Sequence, residues 1–129
     1  MSTERKECNP VVWFEIPVAD MARAAAFYES VFRWPIKVEY MDDGKVMGWF
    51  PASETGYGAS GALVKDNGYE PMPSGMVIYF SEPDIDGTLE CVKKSGGNVI
   101  LEKTHIGKYG FYAWFEDTEG NRIGLHAMA

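Results

Sequence analysis

Two side chains at opposite ends of the chain are of types that move protons: Glu15, inside the apolar run VVWFEIPV, and His126, inside EGNRIGLHAMA. An acid within an apolar strand is costly to bury unless it is paired, hydrogen-bonded or protonated. Glu15 is therefore a general base, a contact for a polar or cationic ligand, half of a structural pair with Arg122 or Lys45, or a side chain exposed at an open cup where the burial cost never arises. A histidine titrates near neutrality and suits acid–base work or a ligand hydrogen bond. The competing expectation for His126 is a ring satisfied by backbone or by Tyr79. Both residues stand as candidate catalytic groups.

Strand alternation widens the set. Successive side chains of a strand point to opposite faces, so Trp13 and Glu15 share a face, as do Val77, Tyr79 and Ser81, and Arg122, Gly124 and His126. Met47 and Trp49 of a hairpin can join them. Large apolar and aromatic walls with a few polar groups are the make-up of a small-molecule pocket. Trp13, Trp49, Val77, Tyr79, Arg122 and His126 are the candidate ligand-binding residues, with packing as the alternative for each aromatic. His105, in EKTHIGKYGF, is expected in a loop that could gate such a pocket.

The elements that must position these residues repeat. VVWFEIPV reads as a strand. Asp20 can cap a helix in which Ala24, Phe27, Tyr28 and Val31 recur at helical spacing, ended by Trp34-Pro35. IKVEYM and KVMGWF flank Asp42-Asp43-Gly44, a hairpin signal, and a strand follows the Gly-rich ETGYGASGALV. After the connector KDNGYEPMPSG the plan returns: strand MVIYF, a helix starting at Asp84 or Asp86 and stopped by Gly96-Gly97, then NVILE, GFYAWFE and NRIGLHAM. Asp84 follows Asp20 by 64 residues, which sets Tyr79 over Glu15 and Val77 over Trp13. The reading is one α+β domain, residues 1–129, of two βαβββ repeats, about 11–66 and 75–129. Together they form a cupped, barrel-like mixed β-sheet with helices outside.

Composition excludes several classes. The 129 residues suit one domain with a real core. Twelve Lys and Arg against nineteen Asp and Glu give a net charge of −7, and without clustered basic residues nucleic acid is not an expected partner. Cys8 and Cys91 match no metal or redox spacing and read as reduced thiols. The polar leader MSTERKECNP and the absence of a long apolar run predict a cytoplasmic protein without a membrane span. GYGASG lacks the context of a phosphate loop.

The string FEIPVADMARAAAFYESVFRW, the repeat and FEDTEGNRIGLH resemble the vicinal oxygen chelate superfamily, which includes glyoxalase I, bleomycin resistance proteins and extradiol dioxygenases. The resemblance implies that each βαβββ unit forms half of a cupped sheet, that short chains dimerise, and that the enzymes hold a divalent metal with cup side chains. Matched position by position, the first-strand ligand falls on Trp13 and its repeat on Val77. The last-strand acid falls on Gly124, and its first-unit counterpart near Gly61. None can ligate a metal, so no metal ligand and no cofactor are expected.

The resulting expectation is a homodimeric, glyoxalase-like protein that binds a small organic molecule without the family's metal, by sequestration or as a metal-independent lyase or isomerase. Two alternatives stay open. One is a metal-dependent lyase related to lactoylglutathione lyase, its site rebuilt from residues such as Glu15 and His126 around a divalent ion. The other is a structural or interaction module whose cup is filled by side chains. Any enzyme among these would be lyase-, isomerase- or dioxygenase-like.

Overall fold

A computed structural model describes residues 9–129; most of the polar leader, Cys8 included, lies outside the described residues. The first repeat runs β1 (Phe14–Pro17), α1 (Met21–Phe32), β2 (Lys37–Tyr40), β3 (Val46–Trp49) and β4 (Gly61–Lys65). The second runs β5 (Ile78–Ser81), α2 (Ile85–Lys94), β6 (Asn98–His105), β7 (Phe111–Glu116) and β8 (Arg122–Ala127). Each repeat forms its own four-stranded mixed sheet, in the orders β1-β4-β3-β2 and β5-β8-β7-β6.

The expected α+β architecture with a cupped sheet is present, and the two sheets do not close into a barrel. The reason lies at the junction. Among the described residues β1 ladders only with β4 and β5 only with β8. The two inner edges meet instead through side chains, Phe14 against Phe80 at 5.7 Å between ring centroids.

Helix starts follow from local hydrogen bonding. The Asp20 carboxylate accepts from the Arg23 N–H at 3.1 Å, and Asp84 accepts from the Gly87 N–H at 3.0 Å, which decides between Asp84 and Asp86. Helix α1 ends on Arg33 in the left-handed conformation, its N–H donating to Glu29 O, one residue before the expected Trp34-Pro35 stop. Gly44, at φ +93°, makes the tight β2–β3 turn that a side chain would strain.

One core lies between the helices and the inner faces of both sheets. It joins Phe27, Tyr28 and Phe32 of α1 to Leu63 of β4 and to Phe115, Ile123 and Leu125 of the second sheet. Each such large side chain contributes roughly 1.5–3 kcal/mol on burial, so α1 binds the repeats into one unit. The Asp117–Asn121 turn adds a polar latch. Tyr28 Oη donates to Asp117 Oδ2 at 2.7 Å, Asn121 Nδ2 donates to Pro17 O at 2.8 Å, and Glu119 accepts from the Ala19 and Asp20 N–H groups and pairs with Arg23 at 2.7 Å. Burial raises the Asp117 carboxyl above its ordinary value against the hydrogen bonds it accepts. Burial also pushes Glu119 upward, but its Arg23, backbone and Thr118 donors outweigh that and hold it low.

Three expectations need adjustment. The first strand begins at Phe14, leaving Val11 to Trp13 before it. His105 ends β6 and packs on Phe111 at 5.0 Å, where a loop was expected, because β6 continues through Lys103 and Thr104 opposite β7. The register also moves one predicted ligand position: Glu15 lies opposite Ala62 as Tyr79 lies opposite Gly124, so the first-unit counterpart of Gly124 is Ala62, not Gly61.

Candidate functional site

On each sheet the face turned away from the helices is built from equivalent positions. In the first repeat these are Glu15 and Pro17 of β1, Met47 and Trp49 of β3, and Ala62 and Val64 of β4. In the second they are Tyr79 and Ser81 of β5, Tyr112 and Trp114 of β7, and Gly124 and His126 of β8. The predicted site residues therefore divide between two groups.

The first face covers itself. Met47, Ala62 and Val64 are buried beneath Trp49 and Tyr69, the latter reaching in from the connector. Glu15 receives two hydrogen bonds, from Tyr69 Oη at 2.7 Å and Trp13 Nε1 at 3.3 Å. The pairing of Glu15 with Arg122 or Lys45 is thus replaced by two neutral donors. The same contact raises the Tyr69 phenol above its usual value, through its hydrogen bond to Glu15 and the charge of that carboxylate.

The second face is open. A cavity of about 480 Å³ is lined by Tyr79, Ser81, Ile106, Tyr112 and His126. Trp114 stands beside it, its Nε1 donating to Tyr79 Oη at 2.7 Å, and the Tyr112 ring meets that indole edge-on. The Arg122 guanidinium lies over the Trp114 ring, 4.6 Å from its centroid, and donates to Gly75 O at 3.2 Å. It braces the wall and is not among the cavity's lining residues. Val77, just before β5, lines a different hollow of about 720 Å³ between the inner strand edges, whose floor is the aromatic group Phe14, Trp34, Phe50 and Phe80.

His126 is partly buried, and its Nε2 lies 2.7 Å from Tyr109 O. A carbonyl can only accept, so Nε2 carries the proton, and in the neutral ring Nδ1 is left as an acceptor. That is the backbone-satisfied histidine of the competing expectation, with Tyr109 in place of Tyr79, and it still leaves one ring nitrogen unused among the described residues. Fixing one nitrogen fixes the ring's orientation, which favours a directional contact to a ligand hydroxyl or N–H. Ser81, one strand over and opposite His126 in register, adds a hydroxyl that can donate or accept.

The family's metal does not fit these residues. Its four positions are held by Trp13, Ala62, Val77 and Gly124, none of which carries a ligating group. At Gly124 the space itself is taken: a Cβ there would come within 2.4 Å of the Tyr79 ring. No group of three His, Cys, Asp or Glu among the described residues is placed to hold an ion. Glu15 and His126 stand on different sheets with different partners.

Comparison with known proteins agrees with this architecture. The family model of the Glyoxalase/Bleomycin resistance protein/Dioxygenase superfamily matches residues 11–125. The chain belongs to that superfamily. A glyoxylase-like domain-containing protein of Didymella fabae is 33% identical over 114 residues, covering 83% of this chain and 84% of that protein. The anthracycline biosynthesis protein DauV of Streptomyces sp. (strain C5) is 25% identical over 84% of this chain, which spans only 43% of its length. Among solved structures, a glyoxylase/bleomycin resistance protein/dioxygenase domain from Frankia sp. superposes with a TM-score of 0.73 over 95% of this chain and 99% of that one, at 17% identity. That likeness speaks for the superfamily's fold alone. No helix among the described residues is long and apolar enough to cross a membrane.

Tyr69, Ile106 and the Tyr109 carbonyl shape the two faces without any periodic signal in the sequence. Tyr69 could have been singled out as the sole aromatic residue of the connector KDNGYEPMPSG.

Proposed function

We propose that this glyoxalase-superfamily chain binds a small, largely apolar organic molecule on the open face of its second repeat, without the family's metal. The observation that carries the reading is the cavity in which aromatic and aliphatic walls meet a histidine held by its Nε2 and a neighbouring serine. Tyr79 and Tyr112 offer ring surface to a planar ligand. His126 Nδ1 and the Ser81 hydroxyl orient its polar group. Chemistry at this face is proton transfer by His126 at a bound hydroxyl or carbonyl-adjacent carbon, which suits a lyase or isomerase; sequestration needs only the same contacts. Glu15 takes no part in this site, since its carboxylate is engaged by Tyr69 and Trp13. The reading takes the protein to be cytoplasmic and homodimeric, and light scattering on the eluting protein checks the dimer.

Relatives named for anthracycline biosynthesis make a planar aromatic ketone a reasonable probe. The test is a titration with neutral 2-(hydroxymethyl)anthraquinone, followed by NMR of the tyrosine and histidine ring signals. The expected result is saturable binding that moves Tyr79, Tyr112 and His126 and is weakened about tenfold by His126→Ala. Perturbation confined to the hollow at Phe14 and Phe50, or no saturation, refutes this placement of the site.

A further inference from the structure

The covered face of the first repeat has its own chemistry, independent of the cavity on the second. Trp13 and Trp49 lie with ring centroids 5.6 Å apart and planes tilted by 54°, forming two walls of an angle. Each indole is aimed by a carboxylate: Trp13 Nε1 donates to Glu15 at 3.3 Å, and Trp49 Nε1 donates to Glu39 at 2.9 Å. Tyr69 packs on the same Met47, Ala62 and Val64 group as Trp49 and fixes the other oxygen of Glu15. Between Glu15 and Trp49 the register places Ala62, whose small side chain is buried under the rings and lets them lie close to the sheet.

We infer that this cluster is a binding site for an organic cation, namely an alkyl- or quaternary ammonium group. An aromatic ring carries negative potential on its face and positive potential at its edge. With their N–H edges held by carboxylates, the two indoles have their edges satisfied and their faces left for other contacts. A quaternary ammonium is attracted to such faces and, being weakly hydrated, loses little on leaving water. Glu15 and Glu39 add two negative charges, and neither forms an ion pair among the described residues, where Arg23–Glu119 and Lys93–Glu90 are the ion pairs found. Lys37, opposite Trp49 in register, pairs with neither carboxylate. Trp13 remains 42% exposed, so part of its ring surface is reachable from solvent. An apolar packing role would require neither acid, and a metal would require ligands converging on one point, whereas these carboxylates are spent on separate indoles.

The test is a titration of the full chain with benzyltrimethylammonium and with choline, the latter compared with its soluble neutral isostere 3,3-dimethylbutan-1-ol. Indole N–H signals are followed by NMR and assigned with single Trp→Phe variants. The site predicts saturable shifts of the Trp13 and Trp49 signals with both cations, at least fivefold weaker binding of the neutral alcohol than of choline, and signals of Trp34 and Trp114 that stay in place. Glu39→Gln, which keeps the indole hydrogen bond but removes the charge, weakens cation binding severalfold while the dispersion of the spectrum is retained. Equal affinity for choline and the neutral alcohol, shifts spread over all four indoles, or an unchanged affinity in Glu39→Gln together with Glu15→Gln overturns the inference. Because the 2-(hydroxymethyl)anthraquinone titration reads different rings, either site can fail without the other.

Discussion

The two repeats use one plan and end with opposite surfaces. Where the first has Glu15, Pro17, Met47 and Val64, the second has Tyr79, Ser81, Tyr112 and His126, and a tryptophan on the third strand is common to both. In the first repeat, apolar Met47 and Val64 draw Trp49 and Tyr69 down over them. In the second, Ser81 and His126 keep the floor polar, and the face stays open. Gly124 completes the difference: by lacking a side chain it lets the Tyr79 ring lie flat on the strand where the family's acid would project. A few exchanges at equivalent positions are enough to turn one half of a symmetric fold into a covered face and the other into a cavity.

The strongest way to break the comparison is to cut the latch by which the second repeat grips the first. Asp117 accepts hydrogen bonds from Tyr28, from the Asn121 side chain and from two backbone N–H groups. Asp117→Ala leaves these buried donors without a partner and should cost roughly 2–4 kcal/mol, measured by urea unfolding. Next is Gly124→Ala, whose methyl must displace the Tyr79 ring. A loss of about 1–3 kcal/mol is expected, with loss of the Trp114-to-Tyr79 hydrogen bond visible as a shift of that indole N–H. The equivalent exchange in the first repeat, Ala62→Gly, should cost only about 1 kcal/mol or less.

Tyr69→Phe sharpens the comparison from the other side. It removes a hydrogen bond to Glu15 at a partly buried position and should cost no more than about 1 kcal/mol, yet it should make the Trp13 and Trp49 signals more sensitive to solvent. The smallest effect concerns pH. Glu119 is held below its ordinary value of 4.5, so the stability it contributes is present above that pH and is lost as pH falls through its lower folded value. The stability gap between the protein and Glu119→Gln should therefore shrink in denaturant titrations as pH falls below the ordinary value of 4.5. Asp117, raised from 3.8, works in the opposite sense: its contribution is complete at low pH and declines as pH rises.

Much of this architecture was legible in the sequence because it rests on local physics. Asp20 and Asp84 cap helices wherever a helical apolar stripe follows them, and period-two runs such as FYAWFE commit to strands before any partner is known. Alternation also put Tyr79, Ser81 and His126 on one face, where they line one cavity. What alternation cannot reveal is which loop crosses a face. Tyr69 meets Glu15 across 54 residues from an aperiodic connector, and that contact engages Glu15 on the first sheet while His126 stands on the second. The latch at Asp117, Glu119 and Asn121 was likewise legible only as a turn, because its acceptors serve donors about a hundred residues away, at Ala19, Asp20 and Arg23.

The most direct test of the central claim, that the second repeat's open face holds a small molecule without a metal, is the affinity for 2-(hydroxymethyl)anthraquinone measured with and without EDTA while the ring signals are followed. The account predicts one unchanged dissociation constant, with the shifts centred on Tyr79, Tyr112 and His126. An affinity abolished by EDTA and restored by a divalent ion would contradict it.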